Sequence, residues 1–324
     1  MTEEVFPNLY RIEVPLPQSP LGWVNSYVIK DPERNLIIDT GLNRKECLEA
    51  LLAGLAEAGV ELKDSDFFIT HHHADHFALA QELCNGTAKV YMNKADKEYT
   101  ENWQSWEPIA GFLALNGFPR DEIDLAISNH PAQKYGSDRM PAMSAVEDGD
   151  IIRRGGFNLM AVATPGHTSG HTCLYDAANR LLFSGDHILI DITPNISCSA
   201  EGANPLELYL ASLDKVQGLQ VDLVLPGHRR IIKDCQGRIE ELRKHHYLRL
   251  QEVLSILEHA ACPQNAYEVA SMMTWDIDCS SWAEFPVSQR WFATGEAIAH
   301  LKHLENQGRL IRGERLGCRV YSIP

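Results

Sequence analysis

The chain has no run of about 18 uninterrupted apolar residues. Its start, Met1-Thr2-Glu3-Glu4-Val5, has neither a basic flank nor an apolar segment behind it. A membrane span and a secretory leader are therefore not expected, and a cytoplasmic protein is. Cysteine pairing is absent too: the eight cysteines, at 47, 84, 173, 198, 235, 262, 279 and 318, form no Cys-x-x-Cys pair and no framework spacing. Reduced, mostly buried thiols follow. Positive charge is scarce, with 29 Lys and Arg against 44 Asp and Glu and a net charge of −15, which repels polyanions and disfavours nucleic acid as a partner. No Ser, Cys or Lys sits in a recognisable nucleophile elbow, so a covalent hydrolase has no obvious attacking group. What remains is a 324-residue chain with 44% hydrophobic residues, enough for about two globular domains with a sizeable core.

Histidine is present in a telling place. Phe67-Phe68-Ile69-Thr70 has the bias of a short buried strand and stops at His71-His72-His73-Ala74-Asp75-His76, after which Phe77 to Leu83 reads as helix. Residues 71 and 73 project to one side of an extended segment, while Asp75 and His76 fall where the chain turns into the helix. Imidazole and carboxylate suit zinc, iron(II) or manganese. Three further apolar runs end the same way, in Thr164-Pro165-Gly166-His167-Thr168-Ser169-Gly170-His171, in Ser184-Gly185-Asp186-His187 and in Pro226-Gly227-His228. Four strand-end turns, each carrying a donor, are what a two-metal site needs.

Around these turns the chain alternates period. Segments 9–14, 24–29 and 35–39 read as antiparallel strands. Leu48, Leu51, Leu52 and Leu55 have helical spacing, and 88–92, 150–152, 157–162, 172–175 and 180–183 read as strands again. Residues 94–145 are too long for a loop and carry Trp103, Trp106, Phe112 and Phe118, which suggests an inserted helical cap forming an apolar wall, a packing layer or a dimer face. His130 there, and His245 and His246 on an amphipathic helix over 237–260, read as packing or surface residues. Residues 262–324 show two helices and a small hairpin. The hairpin's Arg309, Arg312, Arg315 and Arg319 offer a phosphate grip, but six basic against seven acidic residues in this segment favour a structural or dimerising role, a homodimer included.

With its His-x-His-x-Asp-His signature, Thr-Pro-Gly-His-Thr turn, Ser-Gly-Asp and Pro-Gly-His in family order, the sequence resembles the metallo-β-lactamase superfamily over roughly residues 1–230. Within it, the chain looks most like glyoxalase II-like hydrolases with a C-terminal winged helix. The resemblance implies an α/β fold, an αββα sandwich, with domains at 1–230 (helical insertion 94–145) and 262–324 and a connecting long helix at 231–261. It also implies two divalent cations, zinc above iron or manganese: His71, His73 and His167 on one, Asp75, His76 and His228 on the other, Asp186 bridging. Asp39, before Thr40-Gly41, would orient a ligand imidazole, and His171 would support the site without ligating. Asp75 would relay a proton. Leu189 stands where lactonases of the family carry a Tyr, a departure from that subgroup. The implied activity is hydrolysis of an ester or thioester in a small acyl substrate. The alternatives are a metal-dependent endoribonuclease or phosphodiesterase, and a mononuclear-iron sulfur dioxygenase.

Overall fold

The computed structural model describes residues 1–84, 86–137, 139–277 and 279–324. The chain divides into two units: Met1–Trp103, Lys134–Pro194 and Ser212–Ile239 form the first, and Gln104–Gln133, Asn195–Ala211 and Glu240–Pro324 form the second.

In the first unit, strands β1 (Thr2–Phe6), β2 (Leu9–Pro15), β3 (Trp23–Ile29), β4 (Asn35–Ile38), β5 (Ser65–Ile69), β6 (Val90–Asn93) and β7 (Met143–Val146) form one sheet in that order. Pairing is antiparallel from β1 to β4 and parallel from β4 to β7. The second sheet runs β12-β11-β10-β9-β8, built from β8 (Ile151–Arg154), β9 (Phe157–Ala163), β10 (Thr172–Asp176), β11 (Leu181–Gly185) and β12 (Leu223–Pro226), with only β11 and β12 parallel.

Alternation sorts the side chains of β3, β4 and β5 to two faces. Tyr27, Ile29, Leu36, Ile38 and Phe68 meet Leu159, Ala161, Leu174, Phe183 and Leu225 of the other sheet in one core. Val28, Ile37, Phe67 and Ile69 face the other way onto Leu51 and Leu55 of helix α1 (Lys45–Glu57) and Phe77 and Leu79 of α2 (Ala74–Leu83). Each such fully buried side chain contributes about 1.5–3 kcal/mol. Helix α3 (Lys94–Glu101) follows β6 directly. The expected αββα sandwich is the fold.

The second unit holds α4 (Glu107–Leu115), α5 (Ile123–Asn129), the start of α7 (Pro205–Gln217), most of α8 (Cys235–His259), α9 (Ala266–Met272), α10 (Val287–Asn306) and the antiparallel hairpin β13 (Ile311–Arg315) and β14 (Cys318–Ser322). Helix α6 (Pro131–Tyr135) lies at the changeover between units. The units defined by contacts are less contiguous than the expected division at 230 and 262: segments 104–133 and 195–211 group with the C-terminal residues. The insertion is not one cap: Phe118 stacks edge-on to Tyr267 and Trp291, Trp106 to Trp291, and Gly117 lies against Asn265. Aromatic burial against α9 and α10 draws this stretch away from 94–103, and residues 143–145 are strand β7. Among the described residues no helix is long and apolar enough to cross a membrane.

Candidate metal centre

Parallel strands share a carboxyl end, and loops at such ends commonly form sites. His71 and His73 follow β5, Asp75 and His76 open α2, Asp186 follows β11 and His228 follows β12, while His167 lies between β9 and β10. The structure brings all seven together as three overlapping trios: His71, His73 and His167; His71, His76 and Asp186; Asp75, His76 and His228. Within each trio the donor atoms lie within 4.8 Å of one another.

His167 Nε2 is 2.9 Å from His73 Nδ1 and 3.3 Å from His71 Nε2. At zinc–nitrogen bonds of about 2.0–2.1 Å, tetrahedral ligands stand roughly 3.3 Å apart. One nitrogen carries one proton or one lone pair, so a hydrogen bond accounts for one of these approaches and a shared cation for both. Asp186 Oδ2 lies 3.6 Å from His167 Nε2, and its Oδ1 lies 3.5 Å from both His76 Nε2 and His228 Nε2. Asp75 Oδ2 is 3.4 Å from His228 Nε2 and 3.9 Å from His76 Nε2. His76 Nε2, His228 Nε2 and Asp186 Oδ1 are buried with no hydrogen-bond partner among the described residues. Such atoms are costly unless something compensates them. The donor set fits divalent cations.

The outer ring nitrogens of His71, His76 and His228 are tied down, which fixes their tautomers. Asp39 accepts from His76 Nδ1 at 2.8 Å, from Thr70 N at 2.8 Å and from Thr70 Oγ1 at 2.8 Å. With its proton given to Asp39, Thr70 Oγ1 accepts from His71 Nδ1 at 3.0 Å. Asp39 itself sits at φ +57°, a left-handed conformation that Asp tolerates better than most residues. His228 Nδ1 donates to Trp23 O at 2.8 Å. His171 behaves differently: its Nε2 accepts the Asp186 backbone N–H at 3.1 Å, and its Nδ1 donates to Thr164 Oγ1 at 2.7 Å. No lone pair is left for a cation, so His171 positions Asp186.

Two glycines make the room. A side chain at Gly227 would meet Asp186 Oδ1 at 2.6 Å and His76 Cε1 at 2.8 Å. One at Gly185, where φ is +47°, would meet His171 Nε2 and Thr70 Oγ1 at 2.7 Å.

Charge divides the cluster into two halves. Burial, helped by neighbouring imidazoles, pushes His71 and His73 well below the ordinary histidine range, which keeps them neutral donors. Burial also acts against charged His228, but Asp186 and Asp75 outweigh it and hold the ring at about 10. His76 is raised likewise against its burial by Asp186, Asp39 and Asp75. Enclosure works against the charged forms of Asp75 and Asp186, yet His76 and His228 keep both carboxyls low.

Sequence reading missed two residues here. Asp96, fully buried on α3, accepts from His72 N at 3.0 Å, Gly170 N at 2.7 Å and Thr168 Oγ1 at 2.8 Å, and its Oδ2 lies 3.0 Å from His72 Nδ1. One carboxylate thus joins the loop of His71 and His73 to the loop of His167. Asn25, buried in β3, donates to Pro226 O at 2.9 Å and Arg229 O at 2.8 Å, bracketing His228. A polar pair, Asn25-Ser26, inside an apolar strand was the available signal; Asp96 had none.

An αββα sandwich with a shared-carboxylate histidine cluster at its strand ends defines a metal-binding hydrolase scaffold. The chain belongs to the metallo-beta-lactamase superfamily, whose sequence profile matches residues 20–228, while residues 250–316 match a metallo-beta-lactamase-like C-terminal domain. Membership brings divalent metal binding with it. Similar proteins include a probable metallo-hydrolase of Bacillus subtilis, 28% identical over 81% of this chain and 83% of its own length. An atrochrysone carboxyl ACP thioesterase of Aspergillus fumigatus is 26% identical over 75% of this chain, which spans 62% of that protein. Among solved structures, a metallo-beta-lactamase family protein from Thermus thermophilus superposes with a TM-score of 0.84 at 28% identity, covering 99% of this chain and 100% of its own.

Proposed function

We propose that the chain is a dinuclear metal-dependent hydrolase that cleaves the ester or thioester of a small acyl substrate. The observation that carries this reading is Asp186, whose two oxygens face separate imidazole sets, Oδ2 toward His167 and Oδ1 toward His76 and His228. His71, His73 and His167 would hold one cation, Asp75, His76 and His228 the second, and Asp186 both. Imidazole and carboxylate without thiolate suit zinc best, then iron(II) and manganese. Cations held there supply Lewis acidity at a carbonyl oxygen and lower the pKa of water from 15.7 to about 7.

The chain's own residues do the positioning. Asp39 and the Trp23 carbonyl keep Nε2 of His76 and His228 as the free donors. Asp75, partly exposed, is the carboxylate placed to hold a proton and pass it to the leaving group. In balance, water adds across the C–S or C–O bond, giving a carboxylate, a thiol or alcohol, and one proton.

Relatives named as a thioesterase and as a probable metallo-hydrolase support hydrolysis. A small substrate is favoured over nucleic acid because three of the four guanidiniums at the hairpin are engaged. Arg312 pairs with Glu201 and Glu305 at 3.2 Å, Arg315 with Glu268 at 2.6 Å, and Arg319 with Glu201. Helices α9 and α10 with this hairpin support the winged-helix reading. All eight cysteines are free, which supports a reducing compartment, the cytoplasm.

The test is the metal-loaded chain with a model acyl thioester. Hydrolysis is expected, abolished by chelation and reduced more than about a hundredfold in His73→Ala, beyond what outer partners alone supply. Metal-dependent RNA cleavage without esterase activity, or one iron per chain with sulfur oxygenation, would replace the reading.

A further inference from the structure

We infer that the rings of His72, Tyr99 and Trp103, which run outward from the metal-centre residue His73, form a shelf that binds an aryl or other planar acyl group of the substrate. For what lies at its inner end the shelf rests on the hydrolase reading. The rings make a continuous series: His73 to His72 at 5.2 Å between centroids, His72 to Tyr99 at 4.4 Å and Tyr99 to Trp103 at 5.7 Å. Those spacings lie close to the range in which aromatic rings attract one another beyond simple burial.

The series is built, not incidental. His72 stands between two donor histidines, its backbone N–H donates to Asp96 Oδ2 at 3.0 Å, and its Nδ1 lies 3.0 Å from the same oxygen. Asp96 also belongs to α3, so its bonds to His72 N, Thr168 Oγ1 and Gly170 N tie that helix to both donor loops. The N-cap of α3, Asn93, accepts from Ala95 N at 2.9 Å and squares the helix at its start. Tyr99 follows Asp96 by three residues on this helix, and Trp103, two residues past its end at Glu101, is tied to its last turn by its backbone N–H, which donates to Thr100 O at 3.3 Å. A side chain at Gly170 would strike Asp96, which leaves this junction no slack.

The shelf nevertheless stays open. Tyr99 and Trp103 are each 39% exposed, whereas large aromatics elsewhere in the unit, Phe67, Phe68 and Phe183, are closed off. Singly exposed aromatics are ordinary, but contiguous ones leading away from a metal centre offer a ligand flat apolar faces. Burial pushes the Tyr99 hydroxyl up to about 12, so the shelf carries no phenolate at working pH. An acyl group with its carbonyl at the centre and a ring on its α-carbon side meets these faces first. A methyl group offers those faces no planar surface to stack on.

The experiment compares benzoyl and acetyl thioesters of one thiol on the metal-loaded chain, alongside calorimetric binding of benzoate and acetate. Wild type, Tyr99→Leu, Trp103→Leu and Tyr99→Phe are measured with metal content and melting temperature. Expected are a benzoyl preference and a roughly tenfold rise in KM for the benzoyl thioester in each Leu variant. Expected too are little change in kcat, unaltered acetyl kinetics and metal content, and recovery in Tyr99→Phe. Benzoate should follow the same order. Hydrolysis with no discrimination between ring and methyl, in turnover or binding, overturns the shelf and leaves the hydrolase standing. Tyr99-dependent benzoate binding without hydrolysis does the reverse. Should a Leu variant not fold, equal wild-type binding of benzoate and acetate overturns the shelf, and preferential benzoate binding supports it.

Discussion

Both units bury histidines and charged groups, and they handle them in opposite ways. In the first, five imidazoles and the carboxylates of Asp75 and Asp186 aim their donor atoms at common points. In the second, His246 Nδ1 lies 3.2 Å from His300 Nε2, His300 Nδ1 donates to Glu296 O at 2.8 Å, and Arg249 Nη1 donates to Glu252 and to Thr274 O at 2.6 Å. Arg249 also lies over the Trp275 ring at 4.3 Å. Each of those bonds links one group to one neighbour, and among the described residues of this unit no three donors share a point. Burial alone therefore does not make a site. Convergence of lone pairs does.

If that contrast is right, the second cluster serves stability and the first serves binding. Replacing Arg249 with Met should cost about 3 kcal/mol of folding stability in chemical denaturation, because it leaves buried Glu296 without its cationic neighbour at 3.6 Å. Metal stoichiometry should not move; a variant that unfolds no more easily but loses metal would reverse the assignment. Replacing Asp96 with Asn should weaken metal affinity about 10–100-fold, as the loss of an outer partner does. The loss should fall on the cation assigned to His71, His73 and His167, since Asp96 bonds the backbone between His71 and His73 and that of the His167 loop. Equal weakening of both binding events in calorimetry would count against that division.

The smallest effect expected is a pH slope. Burial pushes the Glu296 carboxyl up to about 7 against the pull of Arg249. A folded value above the unfolded one, 4.5, means that the folded chain holds the proton more tightly. This contribution is complete below pH 4.5 and is lost as pH rises through about 7. Melting temperatures from pH 4.5 to 8 should therefore fall less in Glu296→Gln than in wild type.

The sequence made the sandwich and its cluster legible because both are local there. His71, Asp186 and His228 each sit within two residues of a strand end, and glycine or proline marks the turns of His167, Asp186 and His228, as with Pro226-Gly227-His228. The split of His167 from His171 could be expected from family order but explained only by the Asp186 N–H that His171 accepts. Asp96 was invisible because its partners, His72 and Gly170, lie 24 and 74 residues away and offer backbone N–H groups, which every residue has. The discontinuous second unit was hidden for a related reason. Phe118 and Trp106 carry the same apolar signal whether they wall a cleft or pack on Trp291, and only the fold distinguishes the two.

The central claim is that two cations share Asp186, and elemental analysis of the wild-type chain and Asp186→Ala, each saturated with zinc and then dialysed, addresses it directly. The account predicts about two zinc per chain in the wild type and fewer than two in the variant. Wild-type protein that retains none, or a variant that keeps both, would contradict it.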